Sequence, residues 1–205
     1  MKINYLSKNI LFGFVILILI IVWAFAFSTL AKHLNFWLAL SLPLVVFLIT
    51  TYFIKRTNNF ISGFLGEHEV GDGLKGLGSD YIIINKGLEN GHGNIDKIII
   101  GPTGVWTLEV KSQKVNSIVP EPFLNQAYAE AKYLESFIKS KINLDLHVQP
   151  VLVFSNKYAK VRYGLTPQRG VYVIQKEWLS KLLVEIHAQN LDGATILKIK
   201  ESLQT

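Results

Sequence analysis

The sequence predicts an α/β domain, a mixed sheet flanked by helices, set behind an apolar N-terminal segment. Three observations predict it. Short runs rich in Ile, Val and aromatic residues recur between Tyr81 and Ile174, bounded by Gly, Pro and Asn. One long segment of helical period, Leu124 to Ile142, separates the earlier runs from the later ones. Two further helical segments close the chain. Strand and helix patterns alternating in this way bury a sheet between layers of helix.

The N-terminal segment comes first. Ile10 to Phe27 and Phe36 to Ile54 are apolar runs without a charged residue. Each is close to the roughly 20 residues that a helix needs to span a bilayer, so a transmembrane hairpin is expected over residues 1–56. A cleavable signal peptide is the competing reading of the first run, with Lys2 and Lys8 ahead of it and Ala24-Phe25-Ala26 as a cleavage-like site. The run is longer than the roughly 7–15 apolar residues of such a peptide, and a second run follows at once. Lys2 and Lys8 precede the first run, Lys55 and Arg56 follow the second, and Lys32 and His33 lie between them. The bias of basic residues to the cytoplasmic side then leaves residues 57–205 in the cytoplasm. A bacterial inner membrane suits this arrangement and the absence of cysteine agrees with it, although many exported domains also lack disulfides.

The bulk numbers follow the same division. Half of the residues are hydrophobic and the mean hydropathy is +0.31, with the excess at the start. The formal net charge is +6. Setting aside Lys2, Lys8 and Lys32 leaves 18 Lys and Arg against 15 Asp and Glu from Lys55 onward, a net of +3. That balance permits nucleic-acid binding without arguing for it, and it excludes a polybasic arm.

In the soluble part, a helix is expected from about Ile61 to Leu77, with Phe64, Leu65, Val70, Leu74 and Leu77 as its apolar stripe and Gly71, Gly73 and Gly76 weakening it. Tyr81 to Asn85 reads as a strand and Lys86 to Gly93 as a loop. Ile95–Ile100 and Val105–Lys111 read as a hairpin joined through Pro102-Thr103-Gly104. Val115 to Val119 reads as a short edge strand stopped by Pro120 and Pro122. The helix over Leu124 to Ile142 has Leu124, Ala127, Ala131, Leu134 and Ile138 on one face, with Pro122 at its entry. His147–Phe154 and Gly170–Ile174 read as strands with a basic loop between them. Helices near Lys176–Gln189 and from Asp192, a plausible N-cap, complete the order.

The charges that interrupt the hairpin carry the chemistry. Glu109 and Lys111 are two residues apart on one strand and so share a face, while Asp96 starts the neighbouring strand. Carboxylates brought together at the open ends of two strands repel each other, and a bound Mg²⁺ would relieve that repulsion with the hard oxygen ligands it prefers. Such a cation can polarise a phosphate, and Lys111 can steady the charge that develops there. The competing reading is an ordinary Glu109–Lys111 ion pair with Asp96 solvated. His68, His92, His147 and His187 show no ligand spacing and read as structural or surface residues. Lys157, Lys160, Arg162 and Arg169 could equally contact phosphates or water.

The segments Gly66-Glu67-His68-Glu69-Val70, Gly93-Asn94-Ile95-Asp96, Ile100-Gly101-Pro102-Thr103-Gly104-Val105 and Glu109-Val110-Lys111-Ser112, with Gln126 beyond them, resemble the nuclease-related domain, NERD, a branch of the PD-(D/E)xK nuclease superfamily. The resemblance implies a restriction-endonuclease-like fold and a Mg²⁺- or Mn²⁺-dependent nuclease acting on nucleic acid, with DNA expected. It implies Asp96 and Glu109 as metal ligands with the Val110 carbonyl as a third, Lys111 as the catalytic lysine, Glu67 as an accessory carboxylate, and Gln126 as a group orienting substrate or water. The family often has histidine after the strand aspartate, where this chain has Lys97; Lys97 is expected on the opposite face, affecting packing or charge. Two alternatives stay open: an inactive module of the same fold that binds nucleic acid or a protein partner at the membrane, and a membrane scaffold. A homodimer would supply the two active sites needed to cut both strands at once.

Overall fold

The computed structural model describes residues 36–85, 94–161 and 164–204, together with the helical residues Ile18, Ile21, Val22, Phe25 and Thr29. Contacts divide the chain into two units, Met1–Asn59 and Phe60–Thr205. Helix α1 covers Phe36–Leu74. In the first unit its side chains at Leu44, Val45, Phe47, Leu48 and Phe53 are exposed. Among the described residues no helix is long and apolar enough to cross a membrane. The expected hairpin therefore finds no support in the structure. Its first span, 10–27, lies almost wholly outside the described residues. Its second, 36–54, is the start of α1, where the described apolar side chains begin only at residue 44 and soon give way to Lys55 and Arg56.

The second unit is built on a five-stranded sheet in the order β1-β2-β3-β4-β5. The strands are β1 Ile82–Asn85, β2 Lys97–Gly101, β3 Gly104–Lys111, β4 Val148–Phe154 and β5 Tyr172–Gln175. The first three pair antiparallel, and β3, β4 and β5 run parallel. Parallel neighbours need a crossover, and helix α2, Glu121–Ile142, supplies it between β3 and β4. Beyond β5 a 3₁₀ turn, Lys176–Trp178, leads into helix α3, Leu179–Glu185; helix α4 is Gly193–Ser202. The expected mixed sheet flanked by helices is the fold observed.

Helices cover both faces, which is why Ile98, Ile99 and Ile100 are all buried although their side chains alternate. Ile99, Trp106, Leu108, Val151, Val153 and Ile174 meet Val70 and Leu74 of α1 and Leu179, Leu182 and Leu183 of α3. On the other face Ile98, Ile100, Val105 and Val148 meet Ala131, Leu134 and Ile138 of α2 and Ile196 and Ile199 of α4. Leu152, Phe154 and Val173 continue that face against Leu124 and Ala127. A fully buried aliphatic side chain contributes roughly 1.5–3 kcal/mol, so these two layers fix which strand residues face α2.

The β2–β3 turn is held from outside. Gly104 takes φ of 132°, a region that disfavours any residue with a Cβ. A Cβ on Gly101 would stand 2.3 Å from the Tyr81 ring. The Thr103 hydroxyl donates to the Leu183 carbonyl at 2.7 Å, and the Thr103 carbonyl accepts from the Ala188 and Gln189 amides. The Pro102 carbonyl accepts from the Leu191 amide at 3.1 Å.

Three expected elements differ. The helix expected from about Ile61 to Leu77 already runs from Phe36, and it ends at Leu74, where glycines 73, 76 and 78 favour the turns that follow. Residues 115–119 form no strand: Asn116 makes one isolated bridge to Lys160, and Ser117 at φ of 65° breaks the extended run. The helix expected over 176–189 stops at Glu185, because Ile186 turns extended and the next residues bind the Pro102–Thr103 carbonyls. Asp192 caps α4 as expected, accepting from the Thr195 amide at 2.7 Å.

Candidate active site

The site lies where β2 begins and β3 ends. Lys97 pairs with Leu108 in the antiparallel register, so the next position outward sets Asp96 beside Glu109. Asp96 is already outside the strand, and its carboxylate continues the ladder: Oδ2 accepts from the Val110 amide at 2.8 Å. A strand residue directs its N–H and C=O to the same side, so the Val110 carbonyl also faces the Asp96 side.

Glu109 and Lys111 project from the α2 face of β3. Glu109 is only 3% exposed. Its Oε1 accepts from the Lys111 ammonium, and its Oε2 has no hydrogen-bond partner among the described residues. Lys111 also donates to Gln126 Oε1 at 3.1 Å and stands 4.9 Å from the centre of the Phe123 ring. Gln126 Nε2 in turn donates to Glu130 Oε1 at 3.0 Å. Gln126 and Glu130 are four apart on α2 and therefore neighbours on its surface. Glu130 is as buried as Glu109; neither Oε2 meets a donor from another described residue, and a protonated Glu130 can donate to Glu109.

Glu67 enters from α1. Its neighbour Gly66 has no room for a side chain: a Cβ there would meet Ser155 Oγ at 2.4 Å, Ser155 Cβ at 3.3 Å and Ser112 Cβ at 3.4 Å. The glycine lets α1 pass close over the ends of β3 and β4. Glu67 then shares with Asp96 a cavity of about 370 Å³.

Crowding these carboxylates makes ionisation costly. Burial, then the Glu109 charge and more weakly Glu67, push the Asp96 carboxyl up to about 7, against the pull of the Val110 amide and Lys111. Burial and the Glu109 charge push Glu130 up to about 8. Two carboxyls thus titrate near neutrality beside a third that is held by an ammonium, an arrangement typical of functional sites.

The structure brings together Asp96, Glu109, Val110, Lys111 and Gln126, and it sets Glu67 close enough to act on Asp96. The reading of Asp96 as a solvated strand start does not hold, since its carboxyl is partly buried and bonded to β3. The Glu109–Lys111 ion pair does exist, within this larger group. Glu130 was not expected. Its signal was available in the sequence: a carboxylate four residues after Gln126, just before the buried Ala131.

Among the described residues, no group of three or more His, Cys, Asp or Glu is disposed to hold a metal ion. The ligands expected for a divalent cation are fewer than that: two carboxylates, Asp96 and Glu109, with the Val110 carbonyl. These are hard oxygens, one of them unpartnered and buried, and Mg²⁺ keeps several waters where protein ligands are few. The donor chemistry fits. His147 contacts Glu135 and His187 contacts Asn190, both away from this group, while His68 contacts Asp72 and lines the cavity that Glu67 and Asp96 share. His92 lies outside the described residues. Arg169 pairs with Glu121, and Lys157 lies over the Tyr158 ring.

No curated protein and no solved structure matched the chain. The family model of the nuclease-related domain matches residues 62–155, just under half of the chain, from the α1 turn that carries Glu67 to the end of β4. All the site residues named above lie inside that stretch, which is similar to the nuclease-related domain, NERD.

Proposed function

We propose that the second unit is a metal-dependent nuclease that hydrolyses phosphodiester bonds in DNA, using Mg²⁺ or Mn²⁺, and that the apolar N-terminal segment holds it at a bacterial inner membrane with the catalytic unit in the cytoplasm. One observation carries the catalytic part: Asp96, Glu109, Lys111 and Gln126 converge at one rim of the sheet, within the stretch that matches a nuclease-related family.

Asp96, Glu109 and the Val110 carbonyl would hold the cation. When bound, it would supply charge to a phosphate oxygen and lower the pKa of a water. The remaining work falls to the protein. Lys111 presents an ammonium to the charge growing on the phosphorus centre, and its bonds to Glu109 and Gln126 fix where that ammonium points. Gln126 orients the water or a phosphate oxygen through its amide. Glu130 fixes the amide of Gln126 and can hold a proton near neutral pH. Glu67 adds negative charge beside Asp96 and strengthens the preference for a cation there.

The membrane part rests on the charge-free apolar runs of the sequence and on the exposed apolar side chains of α1 from Leu44 to Phe53. A fusion after Thr205 of a reporter active only in the cytoplasm tests the topology, and a silent fusion overturns it. The nuclease is tested by incubating the purified full chain with plasmid DNA and Mg²⁺ or Mn²⁺, beside Lys111→Ala. Cleavage that needs both the metal and Lys111 supports the reading; equal cleavage by both proteins overturns it.

A second reading is a non-catalytic module that binds nucleic acid or a protein partner. The direct Glu109–Lys111 pair, with no three His, Cys, Asp or Glu among the described residues placed to hold a metal ion together, favours it. DNA binding without cleavage by either protein would select it. Whether two copies act together is decided by the mass of the DNA complex in solution.

A further inference from the structure

Lys97 is a charged residue that the proposed chemistry leaves unused. It is 5% exposed, on the face of the sheet opposite Glu109. Among the described residues, its ammonium has one hydrogen-bond partner, the neutral Asn85 Oδ1 at 2.8 Å, and no carboxylate within ion-pair distance. An ammonium so little exposed is costly to keep without a counter-charge, and because it lines a cavity an anion from outside can reach it.

The space for that anion is present. Lys97 and Asn85 form one wall of the cavity of about 370 Å³ that Asp96 also lines. The facing wall is α1, where Gly71 has no side chain; a Cβ there would stand 3.6 Å from the Lys97 ammonium. His68 on that helix and Lys75 just past its end both contact Asp72, at 3.2 and 2.7 Å. Among the described residues, Lys97 is thus the lysine lining this cavity that pairs with no acid. The volume lies toward the small end of ligand sites, which run from roughly 300 to 1,000 Å³.

We propose that the cavity between α1 and the β1–β2 pair is a phosphate subsite in which Lys97, held by Asn85, binds a backbone phosphate of the nucleic-acid strand next to the one at Asp96. The substrate class rests on the nuclease reading; the anion site does not. Lys97 is here a binding residue, outside the chemical step.

The test uses the full chain in EDTA, so that binding is read without cleavage. The probes are a fluorescent duplex oligonucleotide, titrated at several salt concentrations, and inorganic phosphate in a thermal melt. Lys97→Met keeps the length and apolar stem. It should weaken duplex binding by roughly tenfold at low salt and reduce the slope of log K against log salt by about 1, the value for one lost phosphate contact. Phosphate should raise the melting temperature of the wild type and not that of Lys97→Met. Asn85→Asp, which supplies an internal counter-charge, should also weaken binding while melting no lower than wild type.

If the wild type cleaves DNA but Lys97→Met keeps its salt slope and phosphate response, the subsite is overturned and the nuclease stands. If the variant loses both responses while no version of the protein cleaves, the anion site stands and the nuclease falls. A lower melting temperature for Lys97→Met with unchanged slope assigns Lys97 a packing role and overturns the proposal.

Discussion

The Val110 amide donates to Asp96 Oδ2 at 2.8 Å, so a side chain does what the next β2 backbone carbonyl would have done. That bond ties the carboxylate to the strand that carries Glu109 and Lys111, and it separates two effects of mutation. Asp96→Asn keeps an oxygen acceptor for the amide and removes a carboxylate that burial and Glu109 make costly to ionise. It should melt at or above the wild-type temperature while DNA cleavage falls by at least about 10²-fold, the scale of losing one preorganised electrostatic group. Asp96→Ala leaves the amide unpaired and should cost roughly 1–3 kcal/mol in addition. Urea melts and plasmid cleavage measured on both variants check the pair; equal stability of the two would refute the bond's role.

Lys111 sits between Glu109 and Gln126, with the Glu109 side chain 4% exposed and its own 17%. Removing the ammonium in Lys111→Met leaves a buried carboxylate without its partner, at a cost of roughly 3–5 kcal/mol. Adding Glu109→Gln should recover most of that stability and none of the cleavage. A double-mutant cycle by urea denaturation measures the coupling. An additive cycle would show that the ion pair contributes nothing to holding the site.

Much of this was legible in the chain. Asp96, Glu109 and Lys111 are charges in apolar strands, and Gly101-Pro102-Thr103-Gly104 dictates the turn that sets them side by side. Gln126 was reachable only through family resemblance, because nothing in a helical stripe says which polar residue will face a strand. Glu130 adjoins the apolar face of α2 between Ala127 and Ala131, and helical period alone does not say that a carboxylate there meets Gln126. Lys97 was expected on the face away from Glu109, and it is there; its burial was not readable, because that depends on how α1 folds back over the sheet beside Gly71. Ser117 and Ile186 show the limit for element boundaries, where one backbone angle decides and side-chain patterns carry no sign of it.

The raised carboxyls give a pH dependence whose sign is opposite to that of an ordinary salt-bridged acid. Unfolded, Asp96 and Glu130 lose their protons near 3.8 and 4.5; folded, they hold them to about 7 and about 8. Between those limits the folded state binds more protons than the unfolded one, so stability falls as pH rises. In EDTA, the urea midpoint should decline from about pH 4 to about pH 8 and then level off. Glu130→Gln should flatten the upper part of that decline, and Mg²⁺ at the alkaline end should restore stability by binding the ionised pair. A midpoint that climbs with pH across this window would mean that these carboxyls are not held protonated.

Gly66 should govern activity more than folding. Its missing Cβ is what allows α1 to lie against Ser155 and Ser112, and Glu67 is the next residue. In Gly66→Ala the new methyl group meets Ser155 Oγ at 2.4 Å, so either that hydroxyl turns away or α1 lifts. Alanine also favours the helix by roughly 1 kcal/mol over glycine, which offsets part of the contact cost, and the net change in stability should be small. The displacement of Glu67 relative to Asp96 is not offset, because misplacing a positioning group by about 1 Å costs on the order of 10²-fold in rate. Ser155→Gly in the same chain removes both the Oγ and the Cβ that the methyl group meets, and it should bring cleavage back. Plasmid cleavage by the two single variants and the double variant decides this: full activity in Gly66→Ala alone would show that the close approach of α1 at this point is immaterial to the site.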